Sequence, residues 1–374
     1  MMMELPHIAY FITAHGRGHA VRSAQVIQEL AAPTADRPAC RVTVITDIPE
    51  AFLREQISAP FSLVPGSFDC GTIHRPGDHS VDPELTLRAY REVSARNRAE
   101  GEKWLAELSR MQPDYVVTDV AAFPHWLAHR FGVPGVIISN FTWYDIYMPL
   151  LGDLPAGEEV LEELRTQYSY AYRTLVPPMN LPMAWLQPQD RIPLIARRGQ
   201  NRSDYLRQRL GIGMDKRLVL FYAGPVHLPA VFWAQIRANS EYAFLFYDMP
   251  PGAPELPNMI VLPPGLVHPS EVVPSMDLVL AKAGYGIASE CMANGVPLIY
   301  AHRADFLEST AISRELEEWG GAVCLAPEVL LEGKELAPFL NYAYGLGASA
   351  RPVVSTGADY CAELLAGGLE PIEE

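Results

Sequence analysis

Short apolar runs alternate with longer stretches in which apolar residues recur at helical spacing. His7-Ile-Ala-Tyr-Phe-Ile-Thr13 is rich in β-branched and aromatic residues and reads as a buried strand. A glycine turn follows, Ala14-His-Gly-Arg-Gly-His19, and then Val21, Ala24, Ile27 and Leu30 share one face, which predicts a helix over Ala20–Leu30. Arg41–Thr46 is the next strand. Strand, glycine turn, helix and strand make a βαβ unit, and such units build parallel sheets. The alternation continues with a helix over Leu85–Leu108, a strand at Tyr115–Thr118, a helix over Pro124–Phe131 and a strand at Val136–Ser139. Prolines then interrupt Val176–Pro182 and Gln187–Pro193, where neither a helix nor an interior strand persists. Beyond this crossing, strands are expected at Leu218–Tyr222, Tyr242–Tyr247, Met259–Leu262, Leu278–Ala281, Leu298–Tyr300 and Ala322–Leu325, and a last helix at Ser355–Leu365. The pattern predicts an α/β chain of two Rossmann-like domains with parallel sheets facing across a cleft. Their expected extents are residues 1–185 and 186–350, followed by a helix and acidic tail over 351–374. Ligands bind such sheets at the carboxyl ends of the strands.

A chain of 374 residues, 49% apolar and 20% charged, is long enough for two globular domains. Lys and Arg number 29 against 44 Asp and Glu, a net charge of −15. That field repels a nucleic-acid backbone, so no nucleic-acid partner is expected, and an anionic ligand must be held by local groups. The five cysteines (Cys40, Cys70, Cys291, Cys324, Cys361) are scattered and form no CxxC pair. This favours neither a disulfide framework nor structural zinc and fits a reducing cytoplasm. No apolar stretch approaches the roughly 20 residues of a transmembrane helix, and the first residues do not form a secretory signal. A cytoplasmic location is the expectation.

Two glycine turns carry the chemistry. A strand-to-helix turn aims backbone N–H groups and the positive helix end outward. The first, His15-Gly-Arg-Gly-His19, lacks both the full GxGxxG spacing and a P-loop Lys-Ser/Thr, and taken alone is as readily a structural turn. The second is Lys282-Ala-Gly-Tyr-Gly-Ile-Ala-Ser-Glu290, with Ser289 and Glu290 expected in the first helical turn. A diphosphate docked near Gly284–Gly286 places an attached ribose about one turn along, within reach of the Glu290 carboxylate; the plainer account of Glu290 is dipole compensation. His74, Asp78 and His79 match no familiar metal spacing, so their loop is read as an acceptor-side or plain surface loop. Phe141-Thr-Trp143-Tyr144 opens an aromatic stretch that belongs either to the core or to a pocket for an aromatic or apolar molecule.

The segment from Lys282 through Glu290 to Gly295-Val-Pro297 resembles the donor-binding signature of GT-B nucleotide-diphosphate-sugar glycosyltransferases, including the peptidoglycan N-acetylglucosaminyltransferase. The turn ending in Gly18-His19 is similar to their first glycine loop. Pro113–Asp119 with Phe131-Gly-Val-Pro134 resembles their mid-domain segment, and Leu262–His268 their nucleotide-base loop. The His-Gly-x-Gly-His form also resembles the GT-B-like region of some plant sugar kinases. The resemblance covers both halves of the chain. It implies a glycosyltransferase that moves a hexosyl group from a UDP-linked donor to a small-molecule acceptor, with inversion and with neither cofactor nor metal. His19 is the implied base, oriented by Asp119. His15 is the alternative base, and helix capping is the plain alternative for His19 and Asp119. Gly18, Gly224, Leu266, Val267, Lys282, Gly284, Tyr285, Gly286, Ser289, Glu290, Asp305 and Glu308 are the implied donor contacts, with Trp143 and Tyr144 on the acceptor side. Two departures stand out: Phe306 and Leu307 occupy the places of the family's acidic-Gln pair, and Ile287 replaces a phosphate-turn Ser/Thr. A nucleotide-sugar 2-epimerase of the same architecture and a non-catalytic sugar-nucleotide-binding protein are the competing readings.

Overall fold

In the computed structural model, residues 5–369 are described except 36, 76–79, 223, 225–226, 304–305, 327, 330–331 and 333. The chain forms two units. The first takes in Met1–Ile195, Asp305–Glu308 and Thr356–Glu374; the second takes in Ala196–Ala304 and Ser309–Ser355.

In the first unit the elements run β1 (His7–Ile12), α1 (Arg17–Ala31), β2 (Arg41–Ile45), α2 (Glu50–Gln56), β3 (Ser62–Val64), α3 (Pro83–Met111), β4 (Tyr115–Asp119), α4 (Phe123–Phe131), β5 (Gly135–Ile138), α5 (Trp143–Leu151), α6 (Gly157–Ser169), β6 (Arg173–Val176) and β7 (Gln189–Arg191). Its seven strands are ordered β3-β2-β1-β4-β5-β6-β7 and all pair in parallel. Every residue of β1 is buried, as a central strand covered on both faces requires. Local sequence sets the helix ends. Asp82 caps α3 by accepting from the Leu85 N–H, with Pro83 in the first turn, and Gly132 stops α4 in the left-handed conformation.

The second unit contributes α7 (Ser203–Leu210), β8 (Arg217–Tyr222), α8 (Ala230–Ala238), β9 (Tyr242–Phe246), β10 (Met259–Val261), α9 (Pro269–Val272), β11 (Leu278–Lys282), α10 (Tyr285–Asn294), β12 (Leu298–Ala301), α11 (Leu307–Trp319, whose first two residues belong to the first unit), β13 (Ala322–Cys324) and α12 (Ala337–Leu346). Its parallel sheet has the order β10-β9-β8-β11-β12-β13. The last helix, α13 (Gly357–Gly367), returns to the first unit, where Ala358, Cys361, Ala362 and Leu365 join the core that holds Ala24 and Ile27 of α1.

Both sheets reverse their winding once, between β1 and β4 and between β8 and β11, the places where doubly wound sheets leave a crevice at their strand ends. Three details differ from the sequence expectation. Helix α1 begins at Arg17, three residues early, because Gly18 and His19 are already helical and Gly16 (φ 94°) makes the turn. Helix α10 begins at Tyr285, so Ser289 and Glu290 lie in its second turn and not its first. Finally, β7 pairs with β6 and extends the first sheet past residue 185, so the units part between Ile195 and Ala196. An edge strand tolerates the neighbouring prolines that an interior one does not.

Candidate functional site

The first unit gathers its polar groups at the switch point between β1 and β4. The N–H of Thr13, just past β1, donates to the Asp119 carbonyl at 3.0 Å, which brings the two strand ends together. Asp119 is fully buried at the end of β4, and His19 lies in the first turn of α1. The His19 Nδ1 is 2.8 Å from Asp119 Oδ1. The same nitrogen is 3.2 Å from Arg22 Nη2; in the tautomer that donates Nδ1–H to the carboxylate, Nε2 keeps its lone pair. Neither residue is a helix cap: Gly16 caps α1, Ala122 caps α4, and neither end has a side-chain cap. The His19 ring meets Phe141 edge-on, with centroids 5.4 Å apart.

Sequence reasoning missed Arg22. It lies one turn after His19 on the buried face of α1, a charged residue hidden among apolar spacing. Its guanidinium grips Asp119 with both arms, Nε to Oδ2 at 2.9 Å and Nη2 to Oδ1 at 2.6 Å, while Ser23 Oγ donates to Oδ2 at 2.9 Å. Burial pushes the Asp119 carboxyl up, but Arg22 and then His19 overcome it and bring it down to about 2. Asp119 therefore stays a carboxylate at neutral pH. Arg22 Nη1 also donates to Asn140 Oδ1 at 2.5 Å, and Asn140 Nδ2 donates to Glu308 Oε1 at 3.0 Å within the same unit. The expected donor contact Glu308 is thus bonded to Asn140, whereas Asp305 lies outside the described residues.

On the acceptor side, Trp143 is taken into the core. It is 3% exposed, its indole N–H donates to Asp69 Oδ2 at 2.8 Å, and its ring stacks on Tyr147. It lines no surface, because the N-terminal turn of α5 points it inward. Tyr144 is half-buried against Trp185, with ring centroids 4.6 Å apart. His15 stands over Gly71 beside Asp69.

The second unit shows a corresponding arrangement at its own switch point. Lys282 ends β11 with its side chain exposed, and its Nζ lies 3.7 Å from where a Cβ on Gly224 would be; Gly224 turns at φ 78° after β8. Gly284 caps α10 with no side-chain cap and no acid in the first turn, so the positive end of the helix is not offset by an acid of its own first turn. Among the described residues, no atom lies within 4 Å of where a Cβ on Gly284 would be. Tyr285 is buried, and Ser289 is turned inward, its Oγ donating to the Gly286 carbonyl at 2.9 Å. Leu266 and Val267 are half-buried in a turn at Gly265 (φ 73°).

Glu290 is 3% exposed and accepts from Arg197 Nε at 2.6 Å, with a second contact from Arg197 Nη2. Burial pushes its carboxyl up against the pull of Arg197. Dipole compensation therefore does not describe it; it is half of a buried ion pair. Arg197 was not legible, because it follows the proline-broken crossing in an irregular segment. That segment is laced to α10 by Asn294, whose Nδ2 donates to the Arg197 and Glu290 carbonyls at 3.0 and 2.8 Å. Among the described residues no cluster of three or more His, Cys, Asp or Glu is placed to hold a metal; Asp78 and His79 lie outside them. No described helix is long and apolar enough to cross a membrane.

No family model matches the chain. An L-arabinokinase of Arabidopsis thaliana is 27% identical over 352 residues; the match takes in 90% of this chain but only 32% of the kinase. Among solved structures, the calicheamicin glycosyltransferase CalG4 aligns over 99% of this chain and 100% of its own, with a TM-score of 0.63 and 18% identity. The chain has the GT-B fold. A second GT-B structure, Phytolacca americana UGT2 complexed with UDP-2-fluoro-glucose and pterostilbene, covers 97% of this chain and 94% of its own at TM-score 0.61 and 16% identity. A Listeria monocytogenes protein described as a UDP-N-acetylglucosamine 2-epimerase fits almost equally well, at TM-score 0.62 and 12% identity over 97% and 96% of the two chains. The GT-B fold thus brackets two chemistries, and the side chains must separate them.

Proposed function

We propose that this GT-B protein is a glycosyltransferase that moves a sugar from a UDP-linked donor to a hydroxyl of a small molecule. The observation that supports the reading best is the histidine held by a buried carboxylate at the switch point of the first sheet. With its Nδ1–H donated to Asp119, His19 takes the acceptor's hydroxyl proton on Nε2, and Asp119 stabilises the imidazolium without itself being protonated. The freed oxygen attacks the anomeric carbon from the face opposite the diphosphate, so that the new C–O bond forms as the old one breaks, with inversion. The electron pair leaves on the nucleoside diphosphate. Lys282 and the amides opening α10 take up that charge, and no metal enters the scheme. The Arg197–Glu290 pair supports the ribose site, with Leu266 and Val267 beside the base.

Two experiments test the reading. Thermal unfolding with UDP and with UDP-sugars should show a rise in midpoint, since a ligand of the native state stabilises it by mass action. With a responsive donor and a productive acceptor, His19→Ala should lower turnover by about 10²–10⁴-fold while leaving the UDP-induced rise intact. Unchanged turnover removes His19 from the chemistry. The epimerase reading draws support from its structural neighbour; conversion of a UDP-sugar to its 2-epimer without acceptor would establish it in place of transfer. UDP binding with neither reaction would favour a sensor.

A further inference from the structure

A second histidine–aspartate pair hangs from the same glycine turn. His15 precedes the Gly16 cap with its side chain 39% exposed. Its Nε2–H donates to the Asp69 carbonyl at 3.3 Å, and the same nitrogen is 3.7 Å from Asp69 Oδ1. The Asp69 carboxylate is buried. Thr13 Oγ1 donates to its Oδ1 and Trp143 Nε1 to its Oδ2, both at 2.8 Å. Thr13 therefore serves both pairs, with its hydroxyl on Asp69 and its N–H on the Asp119 carbonyl.

The irregular segment carrying Asp69 is pinned from two helices. Asn97 of α3 donates to the Phe68 carbonyl at 2.9 Å, and Tyr147 of α5 donates to the Gly71 carbonyl at 2.5 Å. Gly71 sits at φ 61° so close beneath the His15 ring that a Cβ would approach it to 2.6 Å. A buried carboxylate costs free energy unless it is paired or hydrogen-bonded, and the Thr13 hydroxyl and the Trp143 indole meet that need at Asp69. Here it faces an imidazole that reaches solvent. Phe141 bridges the two pairs, touching the His19 ring at 5.4 Å and the ring of Trp143, which holds Asp69, at 5.3 Å. The Trp143 indole is held by this carboxylate, and the exposed imidazole on the glycine turn that carries His19 is polar.

We propose that His15, oriented by Asp69, binds a second hydroxyl of the acceptor next to the one His19 deprotonates, so that the acceptor is a sugar or other polyol rather than a phenol or apolar alcohol. This rests on the transferase reading. The test measures UDP release from UDP-glucose, UDP-galactose and UDP-N-acetylglucosamine with myo-inositol and methyl glucoside on one side and 4-methylumbelliferone on the other. Wild type should use the polyols. His15→Phe should raise the polyol KM at least tenfold without changing the donor KM or the UDP-induced rise in unfolding midpoint. If His15→Phe does not fold, His15→Gln serves in its place. Preference of the wild type for the phenol, or a polyol KM unmoved in a folded His15 variant, overturns the proposal and leaves the transferase reading standing. Absence of UDP release with every pair overturns both.

Discussion

Arg22 is the residue on which the first unit's polar cluster depends. It neutralises Asp119 where no water reaches either group, and removing one partner of such a pair leaves the other charged and buried. Arg22→Met should therefore cost about 3–5 kcal/mol in urea unfolding, whereas Ser23→Ala, which removes one donor to the same carboxylate, should cost about 1 kcal/mol. The pH dependence has a definite sign. An unfolded aspartate titrates near ~3.9, above the folded value of about 2. The stabilisation due to Asp119 is thus complete at neutral pH and is lost as pH falls from about 4 to about 2. Asp119→Asn should flatten the acid-unfolding curve over that interval when ellipticity is followed against pH. The places of three residues were legible in the sequence: His19 opens the helix after a glycine turn, and Asp119 and Lys282 end strands. Arg22, Asp69 and Arg197 were not. Each acts through a partner about fifty or more residues away, and nothing in local spacing distinguishes a buried charge with such a partner from an exposed one.

At the scale of the element, the opening of α10 separates folding from binding. Gly284 has φ −145°, which any residue adopts, and no atom of the described residues lies within 4 Å of an added Cβ. Gly284→Ala should cost under about 1 kcal/mol of stability, the loss of a modest cap. If the diphosphate docks there, UDP affinity in calorimetry should fall at least about fivefold, near 1 kcal/mol; wild-type affinity would remove this turn from the donor contacts. Central strands were readable because burial on both faces leaves an unbroken apolar run, as in β1 and β9. The short edge strands β3 and β7 were not, since three residues with one side open carry no such run. Both glycine-flanked helices started earlier than expected. Glycine's low helix propensity hides a first turn that tertiary packing imposes.

Over the whole molecule, the repeated βαβ pattern predicted two parallel sheets, and the six strands of the second repeat the order of the first six strands of the first once renumbered from their own start. What the pattern did not carry is the return of α13 to the first unit. Deleting residues 356–374 strips Ala358, Cys361, Ala362 and Leu365 from that core, and Leu365 alone accounts for about 2–3 kcal/mol of buried apolar surface. The truncated protein should lose the unfolding transition of the first unit, or shift it well down, in calorimetry, while that of the second unit changes less. The same return has a temporal side. The ribosome completes the strands of the first sheet at Arg191, yet the helix that seals it emerges some 160 residues later, after the whole second unit has been threaded out. Of the two units, the one begun before the other is finished after it, so during synthesis its apolar face beside α1 stays open to chaperones for as long as the second unit takes to appear.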